Sequence, residues 1–254
     1  MFNKKYPITD VSILSQSISK FCILAPEIAK TALPGQFINI KIDDTTSPLL
    51  RRPFSIHFIK GDEIEIVFGI MGMGTKKLNC KNVGDILDII GPLGKPFNIN
   101  GTEEISILVG GGLGAAPLSL LSKCLEEKGK KVITILGART RELLLSDKLS
   151  KINYATDDGT YGYHGNVVDL LRKFLDNLKT EKIKIYGCGP NPMLKALINL
   201  VDENKISCEV SLETTMACGI GICQGCVVEM KNENQKYSLV CKDGPVFCSS
   251  QIIL

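Results

Sequence analysis

The stretch Ile105-Ser106-Ile107-Leu108-Val109-Gly110-Gly111-Gly112-Leu113-Gly114-Ala115-Ala116-Pro117 reads as a buried strand that opens through glycines into a helix. A turn of this kind lets backbone N–H groups and a helix N-terminus receive a pyrophosphate. Gly110, Gly112 and Ala115 match the G-x-G-x-x-A spacing of dinucleotide sites. A tight strand-to-helix turn with no ligand is the competing reading. The acidic residue that would hold a ribose is also missing, because the next strand ends Leu136-Gly137-Ala138-Arg139. Arg139 suits a 2′-phosphate instead, so this stretch leaves NAD against NADP open.

Around it, apolar β-branched runs at 105–109, 132–136, 183–186 and 206–210 alternate with helix-like segments. That alternation predicts a parallel α/β sheet over residues 100–210. The helix expected after Gly189-Pro190 carries Met193, Leu194, Leu197, Leu200 and Val201 on one face, with Pro190 suited to its first turn. Upstream the pattern is strand, turn, strand. Phe37, Ile38, Ile40 and Ile42 follow Pro34-Gly35, Ile64, Ile66 and Phe68 follow Gly61-Asp62, and a short strand follows Gly84-Asp85 and ends at Gly91-Pro92. Short strands with regular turn signals predict an antiparallel β-barrel over residues 1–99. The remaining tail, 211–254, is rich in Gly and Cys and too short to bury a core alone. The expectation is an α+β multi-domain chain of barrel, α/β domain and small C-terminal domain.

The 254 residues are 44% hydrophobic and 22% charged, with a net charge of +3, so no nucleic-acid partner is evident. The N-terminus, MFNKKYPITDV, leads into no apolar run of signal-peptide length, and no later segment approaches a membrane span. The expected location is the cytoplasm. Ten cysteines in a reducing compartment suggest metal or redox chemistry rather than disulfides.

Five of those cysteines crowd the last 37 residues. Cys218, Cys223 and Cys226 fall in Ala217-Cys218-Gly219-Ile220-Gly221-Ile222-Cys223-Gln224-Gly225-Cys226, and fourteen residues separate them from Cys241. This is the C-x4-C-x2-C…C spacing of plant-type [2Fe–2S] proteins. Gly219, Gly221 and Gly225 suit a loop that brings its backbone close and aims N–H groups at sulfur. A four-thiolate zinc site, or a thioredoxin-like pair at Cys223 and Cys226, are the alternatives; neither explains the isolated Cys241. The only histidines, His57 and His164, lie far from this motif in sequence, which argues against a Rieske site and for structural roles. Cys22, Cys80, Cys124, Cys208 and Cys248 are expected to be buried packing residues.

With Arg52-Pro53-Phe54-Ser55 added, the chain resembles the ferredoxin reductase superfamily, whose flavin domain carries an Arg-x-Tyr/Phe-Ser strand. Gly72-Met73-Gly74-Thr75, Gly91-Pro92-Leu93-Gly94, the glycine run at 110–114 and Tyr186-Gly187-Cys188-Gly189-Pro190 stand where that superfamily has its flavin-phosphate, barrel-exit and nicotinamide segments. The C-terminal cysteines narrow the resemblance to the electron-transfer subunit of type B dihydroorotate dehydrogenase. Met216-Ala217-Cys218-Gly219, Thr156-Asp157-Asp158-Gly159 and Val240-Cys241-Lys242-Asp243-Gly244-Pro245-Val246-Phe247 carry it.

The resemblance implies FAD, a [2Fe–2S] cluster, and NAD as substrate. Flavin contacts fall on Arg52, Pro53, Phe54, Ser55, Val67, Phe68, Gly69, Gly74 and Thr75, with backbone contacts where relatives often carry Tyr-Arg in place of Phe68-Gly69. Gly110, Gly112, Gly114 and Cys188 fall at the nicotinamide site, and the cluster ligands are Cys218, Cys223, Cys226 and Cys241. Cys188 has an equal claim to being a small packed residue. No residue is expected to act on dihydroorotate, because that site belongs to an FMN-containing catalytic subunit. The implied route runs from that FMN to the cluster, to FAD and to NAD⁺ in pyrimidine biosynthesis. The implied assembly is a heterotetramer with two subunits of each kind, docked through the exposed face of the tail. The rival enzyme reading is an NADPH:ferredoxin or sulfide-dehydrogenase type subunit, whose members tend to carry Asp at the position of Cys218. A non-enzymatic metal-binding docking module is the alternative of another class.

Overall fold

A computed structural model describes residues 1–176, 178, 182–232 and 235–254. Six strands close into an antiparallel barrel in the order β1-β2-β5-β4-β3-β6: β1 (Phe2–Ser15), β2 (Ile18–Leu24), β3 (Phe37–Lys41), β4 (Arg52–Lys60), β5 (Glu63–Gly69) and β6 (Ile86–Leu93). Period-two alternation sets what faces inward. Phe21, Ile23, Phe54, Ile56, Ile64 and Ile66 fill the interior, and the ring of Phe68 meets Phe21 and Phe54 edge-on at centroid distances of 5.1 and 5.6 Å. Gly61, at φ +60, makes the turn from β4 to β5. Two short helices cover the barrel, α1 (Pro26–Thr31) and α2 (Met73–Asn79).

The second unit is a seven-stranded sheet in the order β10-β9-β8-β7-β11-β12-β15. Its parallel strands are β7 (Ile105–Gly111), β8 (Lys131–Ala138), β9 (Ile152–Thr156), β10 (Tyr163–His164), β11 (Ile183–Cys188) and β12 (Ser207–Ser211). Every residue of β7 is buried, as a central strand covered on both faces requires. The covering helices are α3 (Leu118–Glu127), α4 (Val167–Leu175) and α5 (Asn191–Glu203). Asn166 caps α4 by accepting from the amides of Val168 and Asp169 at 3.0 and 2.9 Å. Leu194, Leu197, Leu200 and Val201 of α5 are buried as the stripe predicted. Pro190 stands at the N-cap of that helix, and Pro192 takes the first turn.

The tail adds β13 (Val227–Met230), β14 (Tyr237–Leu239), β15 (Val246–Cys248) and β16 (Ile252–Ile253). β15 joins the large sheet antiparallel to β12. Cys226, Val228, Leu239, Cys241 and Phe247 share one hydrophobic core with Val109, Ile185 and Leu197 of the α/β unit. Packing against the nucleotide sheet therefore organises part of a segment whose sequence pointed to a cluster alone.

The cysteines expected to be buried divide. Cys208 is buried, whereas Cys22, Cys124 and Cys248 are half-buried and Cys80 is exposed. Cys22 takes the outward parity of β2, between inward Phe21 and Ile23. Cys80 stands at the surface C-cap of α2, and Cys248 meets the hydroxyl of Ser250 at 3.1 Å.

Candidate functional site

Two cavities and one thiol cluster lie along the seams between these units. The first cavity, about 400 Å³, is walled by β4, β5 and the start of α2. Arg52, Pro53, Phe54, Ser55, Val67, Phe68, Gly69, Gly74 and Thr75 all line it, and so does Cys188 from the end of β11. The ring of Phe68 is taken up by the barrel core, so its backbone is what remains for a ligand. Among the described residues the Ser55 hydroxyl has no partner, which leaves it free to bond a ligand.

Arg52 donates to the carbonyls of Leu50 and Arg51 at 2.7 and 3.3 Å. A Cβ at Gly74 would sit 3.1 Å from its Nε, so glycine lets the guanidinium lie across the start of α2. Thr75 Oγ1 accepts from the amides of Met71 and Gly72 at 3.0 and 3.2 Å and so closes the preceding turn.

The second cavity, about 950 Å³, opens at the C-terminal ends of β7, β8 and β11, the crevice where open α/β sheets bind ligands. Gly112 and Gly114 line it, together with Arg139, Asp157, Asn166 and Met193. Gly112 takes φ +54, which only glycine adopts freely. Gly110 lies beneath the cavity, where a Cβ would meet Leu136 at 2.8 Å and Ala115 at 3.0 Å, so it serves close strand-helix packing. A Cβ on Gly114 would stand 2.5 Å from Gly189 Cα and 2.7 Å from the Cys188 carbonyl, both backbone atoms that cannot turn aside. Gly114→Ala is expected to cost about 1–3 kcal/mol in thermal unfolding.

Gly69, Met71, Leu113 and Glu213 line both cavities, so the two are neighbours. Burial pushes the Cys188 thiol well up, and the Glu213 carboxylate adds to this, so the thiol stays neutral. The Glu213 carboxyl is wetted by the cavity yet walled by protein, and burial raises its pKa. The folded state then holds this proton more tightly than the unfolded chain. Stability from this residue falls as pH rises from its ordinary 4.5 through the raised value. Glu213→Gln is expected to remove that decline in a Tm-against-pH series and to leave iron content unchanged. Glu213 carried no sequence signal, since only the fold brings position 213 to the seam.

At the thiol cluster, Cys226 and Cys241 are buried with sulfurs 3.1 Å apart, Cys218 is half-buried and Cys223 exposed. Gly219 and Gly221 take φ +69 and +84, as expected of a wrapping loop. The third left-handed position is Gln224, φ +59, rather than Gly225. The amides of Ile220 and Cys223 point at Cys218 Sγ from 3.5 and 3.4 Å, and the Cys241 amide points at Cys226 Sγ from 3.4 Å. Burial opposes ionisation of Cys218, but the amides of Cys223, Ile220 and Ile222 outweigh it and bring its pKa to about 6. Burial and the neighbouring Cys226 thiol push Cys241 up to about 12.

One tetrahedral zinc with Zn–S bonds of about 2.3 Å would draw four sulfurs to within about 4 Å of each other. Among the described residues, no three of these thiols have sulfurs mutually within 4.8 Å. The wider spread, with amides aimed at sulfur, fits a two-iron centre better than a single ion. The His57, Glu65 and Asp147 side chains do gather within 4.8 Å, on the other side of β4 from the barrel interior.

The barrel holds the thiol loop directly. Asn39 of β3 is buried and donates from Nδ2 to the Cys218 carbonyl at 3.0 Å. Its strand pairs Asn39 with Pro53 of the first cavity. Met216, two residues before Cys218, lines that same cavity. Cys223 and Ile222, the latter 74% exposed, form the outer rim of the loop.

Comparison with known proteins agrees with this layout. Residues 213–253 match the model of the iron–sulfur cluster binding domain of dihydroorotate dehydrogenase B. The dihydroorotate dehydrogenase B (NAD(+)) electron transfer subunit of Desulforamulus reducens is 36% identical over 237 residues, 90% of each chain. The subunit of the same name from Fusobacterium nucleatum is 40% identical over 227 residues, 86% of each chain. A solved NADH-dependent reduced ferredoxin-NADP oxidoreductase, studied for flavin-based electron bifurcation, superposes with a TM-score of 0.86 at 29% identity, covering 98% of this chain and 89% of that one. With relatives 36% and 40% identical along most of its length and a matching domain model over residues 213–253, this chain belongs to the family of electron transfer subunits of dihydroorotate dehydrogenase B.

Proposed function

We infer that this chain carries electrons between a catalytic dihydroorotate dehydrogenase subunit and NAD⁺ in pyrimidine biosynthesis, and the observation that carries the reading is the ordering of its three sites. The second cavity adjoins the first at Gly69, Leu113 and Glu213, and Met216, two residues before Cys218, lines the first. The cofactors are FAD and a [2Fe–2S] cluster, with NAD as substrate. When bound, FAD exchanges a hydride with nicotinamide and single electrons with the cluster.

Each residue's part follows from its place. Arg52 would neutralise the flavin pyrophosphate from beside Gly74, and Ser55 would hydrogen-bond the ring with its free hydroxyl. Pro53, Phe54, Val67, Phe68, Gly69 and Thr75 would wall the flavin, with Phe68 and Gly69 offering backbone. Gly112 and Gly114 would receive the dinucleotide. Cys188 would lie at the seam as a neutral thiol. Cys218, Cys223, Cys226 and Cys241 would hold the cluster, with the glycine-rich backbone donating to sulfur.

The chain works with a catalytic partner subunit. The FMN-containing partner would dock on the rim at Ile222 and Cys223, the exposed side of the thiol loop, in a heterotetramer with two subunits of each kind. No described helix is long and apolar enough to cross a membrane. Ten free cysteines support a cytoplasmic site.

The NADH-dependent ferredoxin-NADP oxidoreductase likeness favours a second reading, in which ferredoxin stands in place of the dihydroorotate subunit. Cys218, where that group tends to carry Asp, supports the first. Dihydroorotate-driven reduction of the co-expressed pair separates them.

A further inference from the structure

His57 is fully buried on β4, two residues beyond Ser55, and its ring points away from the barrel interior. Its Nδ1 lies 2.7 Å from the Ala116 carbonyl oxygen, and its Nε2 lies 3.1 Å from Asp147 Oδ2. Both partners only accept. A neutral imidazole carries one N–H, so either tautomer would leave a buried lone pair facing an oxygen. The doubly protonated ring satisfies both.

The surroundings decide between a metal ligand and a proton-bearing clamp. Lys20 of β2 stands 2.8 Å from Asp147 and 3.9 Å from Glu65 of β5, and Lys148 pairs with Glu65. Lys123 of α3 lies over the neighbouring Phe58 ring. Lys20 and Lys148 already pair with Asp147 and with Glu65 Oε1, and a metal ion would have to displace them; Glu65 Oε2 has no hydrogen-bond partner among the described residues. The charges of Lys20, Lys148, Glu65 and Asp147 cancel, and Lys123 pairs with Glu127 of its own helix, so a proton on both His57 nitrogens would be the one further charge in the group.

What this clamp holds is the glycine turn. Ala116 follows Gly112–Ala115, its amide donates to the Leu113 carbonyl at 3.0 Å, and it lines the first cavity. Asp147 is tied to the same region through its carbonyl, which accepts from Ser119 Oγ at 2.8 Å.

We propose that His57, held as an imidazolium between Ala116 and Asp147, is a positioning residue that fixes the glycine turn against the flavin strand and so sets the alignment for exchange with the pyridine nucleotide. This rests on the flavin and nucleotide reading of the two cavities.

The test uses the full chain with FAD and cluster, labelled with ¹⁵N-histidine. His57 should show both ring nitrogens protonated, with exposed His164 as the internal reference. A single protonated nitrogen would overturn the proposal. Stopped-flow reduction by NADH then compares wild type, His57→Gln and Asp147→Asn, each checked for FAD and iron content. Glutamine cannot donate at both ends, and a loss of alignment should slow reduction about ten- to a hundredfold. Asp147→Asn, which removes the charged acceptor 3.1 Å from Nε2, should slow reduction in the same sense. An unchanged rate in either variant would overturn the role of His57 alone. A wild-type chain that NADH does not reduce would instead sink the reading of the cavities, while the ¹⁵N spectrum still decides the charge of His57.

Discussion

Cys241→Ser is expected to give a folded yellow protein that has lost its cluster. Iron content and the cluster's absorbance should fall to near nothing, and dihydroorotate-driven NADH formation should fall to background. NADH:dye activity should persist, because the flavin and nucleotide cavities do not use this residue. A small domain held by metal alone forfeits on the order of 10 kcal/mol without it and unfolds. Here Val228, Leu239 and Phe247 share the core of the α/β unit, and β15 pairs with β12. A lower Tm with cooperative unfolding is therefore the expected calorimetric result. Loss of NADH:dye activity as well would show that the cluster also props up the nucleotide site.

Arg52→Ala should release the flavin while sparing the cluster. A charge-assisted hydrogen bond contributes about 1.5–3 kcal/mol, so losing even one weakens FAD binding by about ten- to a hundredfold. Flavin retained through gel filtration, set against iron content, measures this. Arg52→Lys keeps the charge and loses the planar fork, so it should fall between the two. Among the described residues the Arg52 side chain donates only to the backbone of its own neighbours, Leu50 and Arg51, so the barrel itself should survive either change.

Much of this was legible along the chain. The cysteine spacing, the glycine turn and Arg52-Pro53-Phe54-Ser55 are local signals, because each needs particular residue types within a few positions. The nine flavin-side residues did converge on one cavity. What the sequence hid is set by long-range pairing. Glu213, Met216 and Asn39 reach the seams only because β12 ends beside the first cavity and β3 lies against the thiol loop. The antiparallel β15 was equally hidden, since three residues, Val246–Cys248, carry no period of their own. Gln224 takes a left-handed position in the thiol loop that no residue-type signal marked, while Gly225 does not.

Anaerobic reduction by dihydroorotate, with the chain co-expressed with a candidate FMN subunit and NAD⁺ present, tests the central claim most directly. Bleaching of the cluster and FAD absorbance followed by NADH formation is the predicted result. Reduction by NADPH but not by dihydroorotate would contradict it and move the chain to the ferredoxin-linked reading.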